Sequence, residues 1–324
     1  MLLTDQHPHN KSIVAGILGV PNVGKSTLIN YLLGFDLSAV THKAQTTRNQ
    51  FHCVLTIDHT EIILVDTPGV HKTTQEMNKR LNQQARDGVE SVDVNLLLMD
   101  LTKDLGKQFQ EFFLNFNSEI GKTWVIFTKK DLLSLEKLAT LDLPGAFTKF
   151  QEVIPSLEKF YVISAKDGSD VHLLTGDLCD IAQEGPHHYM KDAISNKSER
   201  FFATEYIREQ AFHCLDQELP YELAVTIDEF KEFNVNKEEA RKAFISASII
   251  VNRPSQRAIV IGRQGSVIKK IGTSARKKIE AMVGGPVRLN LHVKVAPKWF
   301  NNNKLLEEIG LPRATDSRRV WRQR

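Results

Sequence analysis

No run in this chain approaches the ~20 consecutive apolar residues of a membrane-crossing helix. The opening stretch from Met1 to His7 also lacks the basic start and apolar core of a secretory leader. The expectation is a cytoplasmic protein with no transmembrane segment. Cysteine is scarce: Cys53, Cys179 and Cys214 are odd in number and widely spaced, which argues against a disulfide framework or a zinc cluster and leaves three reduced packing residues. No internal repeat recurs, so a solenoid is excluded. The pair His187-His188 sits alone in a polar stretch, where solvated side chains are expected rather than a metal site. With 41% hydrophobic residues, 25% charged residues and a net charge of only +3, the composition excludes a disordered chain, and 324 residues are enough for two cores.

One region lacks negative charge. From Arg241 to Phe300 the basic residues run from Arg253, Arg257 and Arg263 through Lys269, Lys270 and Lys277 to Lys298, against a single acid, Glu280. Placement of charge, more than its total, predicts partners, and this segment expects a polyanion.

What is present begins with a glycine loop. The apolar run Ile13 to Leu18 reads as a strand, Leu28, Ile29, Leu32 and Leu33 return at helical spacing, and between them stands G-V-P-N-V-G-K-S-T from Gly19 to Thr27. Gly19 and Gly24 let the loop curl and turn backbone N–H groups, including those of Val23 and Thr27, toward phosphate oxygens at a helix N-terminus. Lys25 belongs on the β- and γ-phosphates, and the Ser26 hydroxyl is an oxygen ligand for a bridging Mg²⁺. In the Thr-rich loop that follows, a hydroxyl such as that of Thr47 can reach the γ-phosphate and its Mg²⁺. A strand ending in Asp66-Thr67-Pro68-Gly69 places a carboxylate for the Mg²⁺ shell and a Gly69 N–H for the γ-phosphate. Further strands end at Asp100, at Thr128-Lys129-Lys130-Asp131 and at Ser164-Ala165-Lys166. Strands alternating with helices predict a mostly parallel sheet with helices on both faces.

This ordered set resembles the translation-factor-related GTPases. That resemblance implies that Asp131 accepts from the guanine ring, that Lys129 lies along the base and that Ala165 offers its N–H to the guanine oxygen, within the S-A-K element of Ser164 to Lys166. Thr128 stands where the commonest pattern has an asparagine tying this loop to the phosphate loop, as it does in dynamin-like GTPases. Val70 replaces the water-orienting glutamine of Ras-like enzymes, so slow intrinsic hydrolysis is expected. Asn22 corresponds to the residue that holds a catalytic K⁺ in related tRNA-modifying GTPases, and a loop-stabilising amide is the alternative.

A polar stretch, 184–198, reads as a connection. Beyond it lie a helix from Glu199, a strand from Leu223, a second strand over Ala243–Val251, and the run Ala258 to Ile261, read as a strand leading into Gly262-Arg263-Gln264-Gly265 and a basic helix with Lys269 and Lys270. The G-x-x-G loop is similar to that of KH domains, which clamp single-stranded nucleotide backbone. The expected layout is a P-loop GTPase domain over 1–183, the connection, an α+β type II KH domain over 199–300 and a flexible basic tail over 301–324. Together these units resemble the Era-type GTPases over nearly the whole chain. The resemblance implies a monomer that binds GTP and GDP with Mg²⁺ and K⁺, grips the 3′ end of small-subunit ribosomal RNA when GTP is bound, and serves 30S subunit maturation. It leaves peripheral association with the inner membrane face open. The rival reading is a nucleotide-gated RNA-binding module that scarcely hydrolyses.

Overall fold

In a computed structural model of the chain, residues 6–38, 49–67, 76–87, 92–116, 120–215, 219–233 and 243–312 are described. Thr47, Pro68, Gly69, Val70, Arg241, Lys242 and the arginines beyond Pro312 lie outside them. The chain makes two compact units, the bulk of the first running to Asn196 and the bulk of the second starting at Lys197. Among the described residues no helix is long and apolar enough to cross a membrane.

The first unit is a twisted sheet in the order β2 (Phe51–Ile57), β3 (Thr60–Asp66), β1 (Lys11–Leu18), β4 (Val94–Asp100), β5 (Thr123–Thr128), β6 (Leu157–Val162). From β3 to β6 every pairing is parallel, while β2 folds back on β3 as an antiparallel hairpin. β3, β4 and β5 are buried at every position, which is why each carries four consecutive apolar residues, Ile62 to Val65, Leu96 to Met99 and Trp124 to Phe127, closed by a polar one. Helices α1 (Lys25–Leu33), α2 (Glu76–Asp87), α3 (Leu105–Asn115), α4 (Leu135–Ala139), α5 (Leu143–Val153) and α6 (Val171–Ile181) alternate with the strands in the chain. The phenylalanines of the α3 region are core: Phe109, Phe112 and Phe116 are buried, and Phe109 stacks on Phe150 of α5.

The stretch after α6 is no free connection. It starts as β7 (Gln183–Glu184), antiparallel to the first residues of β1. Buried Glu61 then accepts the backbone N–H groups of His188 (2.8 Å) and Tyr189 (3.0 Å). Farther on, Ser195 bridges Cys53, and the Val54 N–H donates to Ile194 O at 3.0 Å, so the chain lies along the outer edge of β2. The polar side chains that read as solvated spacing are spent on β2, β3 and the backbone beside them.

The second unit runs α7 (Glu199–Cys214), β8 (Leu223–Glu232), β9 (Ala243–Val251), α8 (Pro254–Ile261), α9 (Ser266–Val283), β10 (Val287–Val295). Its sheet has β9 in the middle, parallel to β10 and antiparallel to β8. α9 buries Ile271, Ala275, Ile279 and Val283 along one side and packs on α7. Two expectations are corrected here. Ala258 to Ile261 are helical, the end of α8, because Pro254 starts a helix at its first turn and the Gln256 side chain accepts from the backbone of Asn252 and Arg253, both at 2.9 Å. The segment after Phe300 is also folded as far as Pro312, with α10 (Asn303–Glu308) and with Leu306 and Leu311 fully buried, the Leu311 N–H donating to Leu306 O at 2.8 Å.

Candidate functional site

The chain leaves β1 toward β3 on one side and β4 on the other, and ligands of open α/β sheets bind outside the strand ends at such a switch. The loop after β1 is shaped for it. Gly19 has φ 141°, and a Cβ there would lie 2.7 Å from the Leu98 carbonyl oxygen, while Asn22 and Gly24 are also left-handed at φ 65° and 104°. Gly24 then caps α1, so the loop's last N–H groups converge at a helix N-terminus. Val23 is fully buried and anchors the turn, whereas Ser26 and Thr27, in the first turn of α1, are half-buried.

Lys25 is buried inside this loop, its ammonium donating to Gly19 O at 2.9 Å and Val20 O at 3.2 Å. Burial lowers its pKa to about 8, with the nearby Asp66 carboxylate pulling the other way. Asp66 ends β3 in register with Ile17, is fully buried, and accepts the Ser38 hydroxyl at 3.0 Å. Thr67 donates to Ile17 O at 2.7 Å and ties the two strand ends together. A hydroxyl and a carboxylate beside a lysine and inward N–H groups can hold a polyphosphate with a hard cation.

On the far side, the Thr128 hydroxyl donates to Val23 O at 2.6 Å. Threonine therefore makes, through a loop carbonyl, the tie that the resemblance assigns to asparagine. Lys129, left-handed at φ 63°, extends its ammonium to Asn22 O and to an Asp100 oxygen, both at 2.7 Å. Asp131 is exposed, and one of its oxygens accepts the Ser164 hydroxyl at 2.8 Å. That hydroxyl in turn receives the Lys166 and Asp167 N–H groups at 3.3 Å, so Ser164 braces Asp131 rather than facing a ligand. Ala165 is buried and Lys166 exposed. Thus every described residue singled out along the strand ends is gathered at one edge of the sheet. Asp100, which in the sequence is only a strand terminus, stands among them through its bond to Lys129. The signal was its likeness to Asp66, an acid that follows four apolar residues at the end of a buried strand.

In the second unit, Gly262 to Gly265 join α8 to α9. Gly262 (φ 73°) is packed, since a Cβ would come within 2.5 Å of Val267 Cγ2, whereas Gly265 (φ 76°) faces open space and caps α9. Arg263, Gln264, Lys269 and Lys270 are exposed around that positive helix end, a surface suited to phosphates. Not every cation of the basic segment is available. Lys278 is bonded to Glu209 of α7 at 2.8 Å and Lys294 to Asp228 at 2.9 Å.

Comparison with known proteins agrees with both units. The family model described as "50S ribosome-binding GTPase" matches residues 14–130, and the KH domain model matches residues 218–300. GTPase Era of Mycoplasmopsis pulmonis is 36% identical over 304 residues, covering 92% of this chain and 99% of its own. GTPase Era of Thermotoga maritima is 36% identical over 302 residues, with 93% and 97% covered. A crystal structure of Era in complex with MgGDPNP and nucleotides 1506–1542 of 16S ribosomal RNA superposes with a TM-score of 0.85 at 31% identity, over 94% of this chain and all of that one. A variant of Aquifex aeolicus Era bound to GDP·AlF4⁻ gives 0.81 at 30% identity. Identity at this level runs through both units and nearly the full length of both partners: the chain belongs to the GTPase Era family.

Proposed function

We propose that this protein hydrolyses GTP to GDP and phosphate as a cytoplasmic monomer. With GTP bound it grips the 3′-end region of small-subunit ribosomal RNA through its second unit, in the maturation of the 30S subunit. One observation carries the reading: a solved relative that matches across both units holds a magnesium-bound GTP analogue together with 16S nucleotides 1506–1542. The family model whose description names the 50S subunit covers only residues 14–130, so the RNA-bound relative is the better guide to the partner.

On this reading the loop from Gly19 to Thr27 cradles the phosphates and Lys25 neutralises them. Asp131, braced by Ser164, reads guanine with Lys129 along the base and the Ala165 N–H on its oxygen. Ser26 and Asp66 are oxygen donors of the kind Mg²⁺ takes, and Thr47 and Gly69 complete the γ-phosphate side. Magnesium, when bound, offsets the charge that builds on the phosphates during transfer. Gly262, Arg263, Gln264, Gly265, Lys269 and Lys270 meet RNA backbone. Multiple-turnover phosphate release with and without the RNA segment tests the whole. Measurable turnover, raised by RNA, and tighter RNA binding with GTP than with GDP are expected. A protein that binds both ligands without turnover is the nucleotide-gated module instead.

Two finer expectations arise here. Asn22 presents an amide on the left-handed corner of the phosphate loop, and we assign it a K⁺ that supplies positive charge where Val70 leaves no water-orienting side chain. Replacing K⁺ by Na⁺ at equal ionic strength should slow turnover by about tenfold or more. Equal rates would make Asn22 structural. The second expectation concerns pH. Free Lys25 loses its proton above about pH 8, and a triphosphate against it holds that proton, so binding takes up a proton only above that value. GTP affinity should be flat below about pH 8 and fall by up to about tenfold per pH unit above it. A flat profile to about pH 9 would mean that Lys25 stays charged throughout.

A further inference from the structure

The base-reading lysine is mounted on a carboxylate that neither the motif pattern nor the family match assigns. Asp100 closes β4 fully buried, and its position is held from several directions. Its backbone N–H donates to Gln108 Oε1 at 2.9 Å, and the Gln108 amide returns a bond to Asp100 O at 2.9 Å. Its Oδ1 is taken by the Thr102 N–H (2.9 Å) and the Thr102 hydroxyl (2.6 Å). Only Oδ2 is left for Lys129 at 2.7 Å, with the exposed Lys103 much farther at 3.9 Å. Burial alone would raise the Asp100 pKa. The bonds from Lys129 and Thr102 outweigh it and hold the carboxyl below its ordinary value, so the group is an anion.

Lys129 is thus fastened at both ends. Its backbone is left-handed, and its ammonium is shared between Asp100 and the carbonyl of Asn22 in the phosphate loop. The side chain between these two points is the one to which the proposed function gives the face of the base. A lysine free in solution samples many rotamers, and ordering one costs a substantial share of the energy that a contact returns. A fixed anion under the ammonium removes that cost before the ligand arrives.

We propose that Asp100 is a positioning residue for guanine-nucleotide binding, acting through Lys129 by holding its side chain flat against the base site and its ammonium on the phosphate loop. This rests on the base-reading role given to Lys129 and Asp131.

The test is a double-mutant cycle on the full chain, with GDP dissociation rate as the readout. Asp100→Asn keeps shape and acceptor but removes the charge, and should speed GDP release by about tenfold. Lys129→Met should speed it at least as much. The double variant should release GDP no faster than Lys129→Met alone, because with the ammonium gone the carboxylate has nothing to position. Should Asp100→Asn fail to fold, Thr102→Val, which loosens the carboxylate without touching its charge, takes its place in the cycle, with an expected effect of about threefold. Additive effects in the cycle would overturn the inference and leave Asp100 a brace of the strand end. A wild-type protein that holds ADP as tightly as GDP would overturn the base-reading assignment itself, and this inference with it.

Discussion

Asp131→Asn is expected to weaken GTP binding by roughly a thousandfold and to turn preference toward xanthosine triphosphate, because a site built to accept base N–H groups rejects a ligand once one acceptor becomes a donor. The structure says which way the new amide will turn. Ser164 donates its hydroxyl to Asp131 Oδ1, so the asparagine should keep its oxygen there and place its NH₂ in the position of Oδ2. A guanine donor then meets an N–H, and the carbonyl that xanthine carries in place of the amino group meets a partner. Adding Ser164→Ala to Asp131→Asn should blunt the switch, since the amide is then free to turn over. Competition between GTP and its xanthine analogue measures both. If Asp131→Asn retains wild-type GTP affinity, the base is read elsewhere.

The second large effect belongs to the other unit. Gly265→Asp should weaken single-stranded RNA binding by about tenfold or more, by placing a side chain and a negative charge where nucleotide backbone approaches. The two glycines of the loop separate folding from binding. A Cβ at Gly265 meets nothing within 4 Å, so the structural cost is the left-handed backbone alone, about 1 kcal/mol. A Cβ at Gly262 collides with Val267, so Gly262→Ala should lower the thermal midpoint more while adding no charge. RNA affinity at two salt concentrations, with GTP binding as the folding control, distinguishes them. Unchanged RNA affinity in folded Gly265→Asp would move the RNA site off this loop.

The features that were legible in the sequence are those where backbone geometry forces residue identity. Only glycine tolerates φ 141° with a carbonyl oxygen 2.7 Å from where its Cβ would be, so Gly19 announced the phosphate loop. β3, β4 and β5, buried on both faces, could be read from the four consecutive apolar residues each carries. The run Ala258 to Ile261 could not, because four consecutive apolar residues carry no period, and the deciding residue, Pro254, lies upstream. Asp100 escaped because its bond to Lys129, just past the end of β5, exists only once the two strand ends lie side by side. The segment from Asn301 to Pro312 reads as a tail because it opens on four polar residues, Asn301 to Lys304, and leads to the arginine-rich end, whereas Leu306 and Leu311 are buried. In the polar stretch 184–198, polarity suggested exposure, whereas several of its groups bond β2, Glu61 and the backbone.

That last stretch bears on whether the outer strand of the first unit is open to pairing. β2 is the end strand of its sheet, and an end strand with bare N–H and C=O groups is a template for pairing with another chain. Ile194, Ser195 and Asn196 occupy that edge: the Val54 N–H donates to Ile194 O, the His52 N–H donates to the Asn196 side chain at 2.9 Å, and the His52 carbonyl accepts the Ser195 hydroxyl. A first unit cut at residue 183, where the alternating pattern of strands and helices stops, would uncover β2 and invite edge-to-edge association. One cut after Asn196 carries its own guard against aggregation.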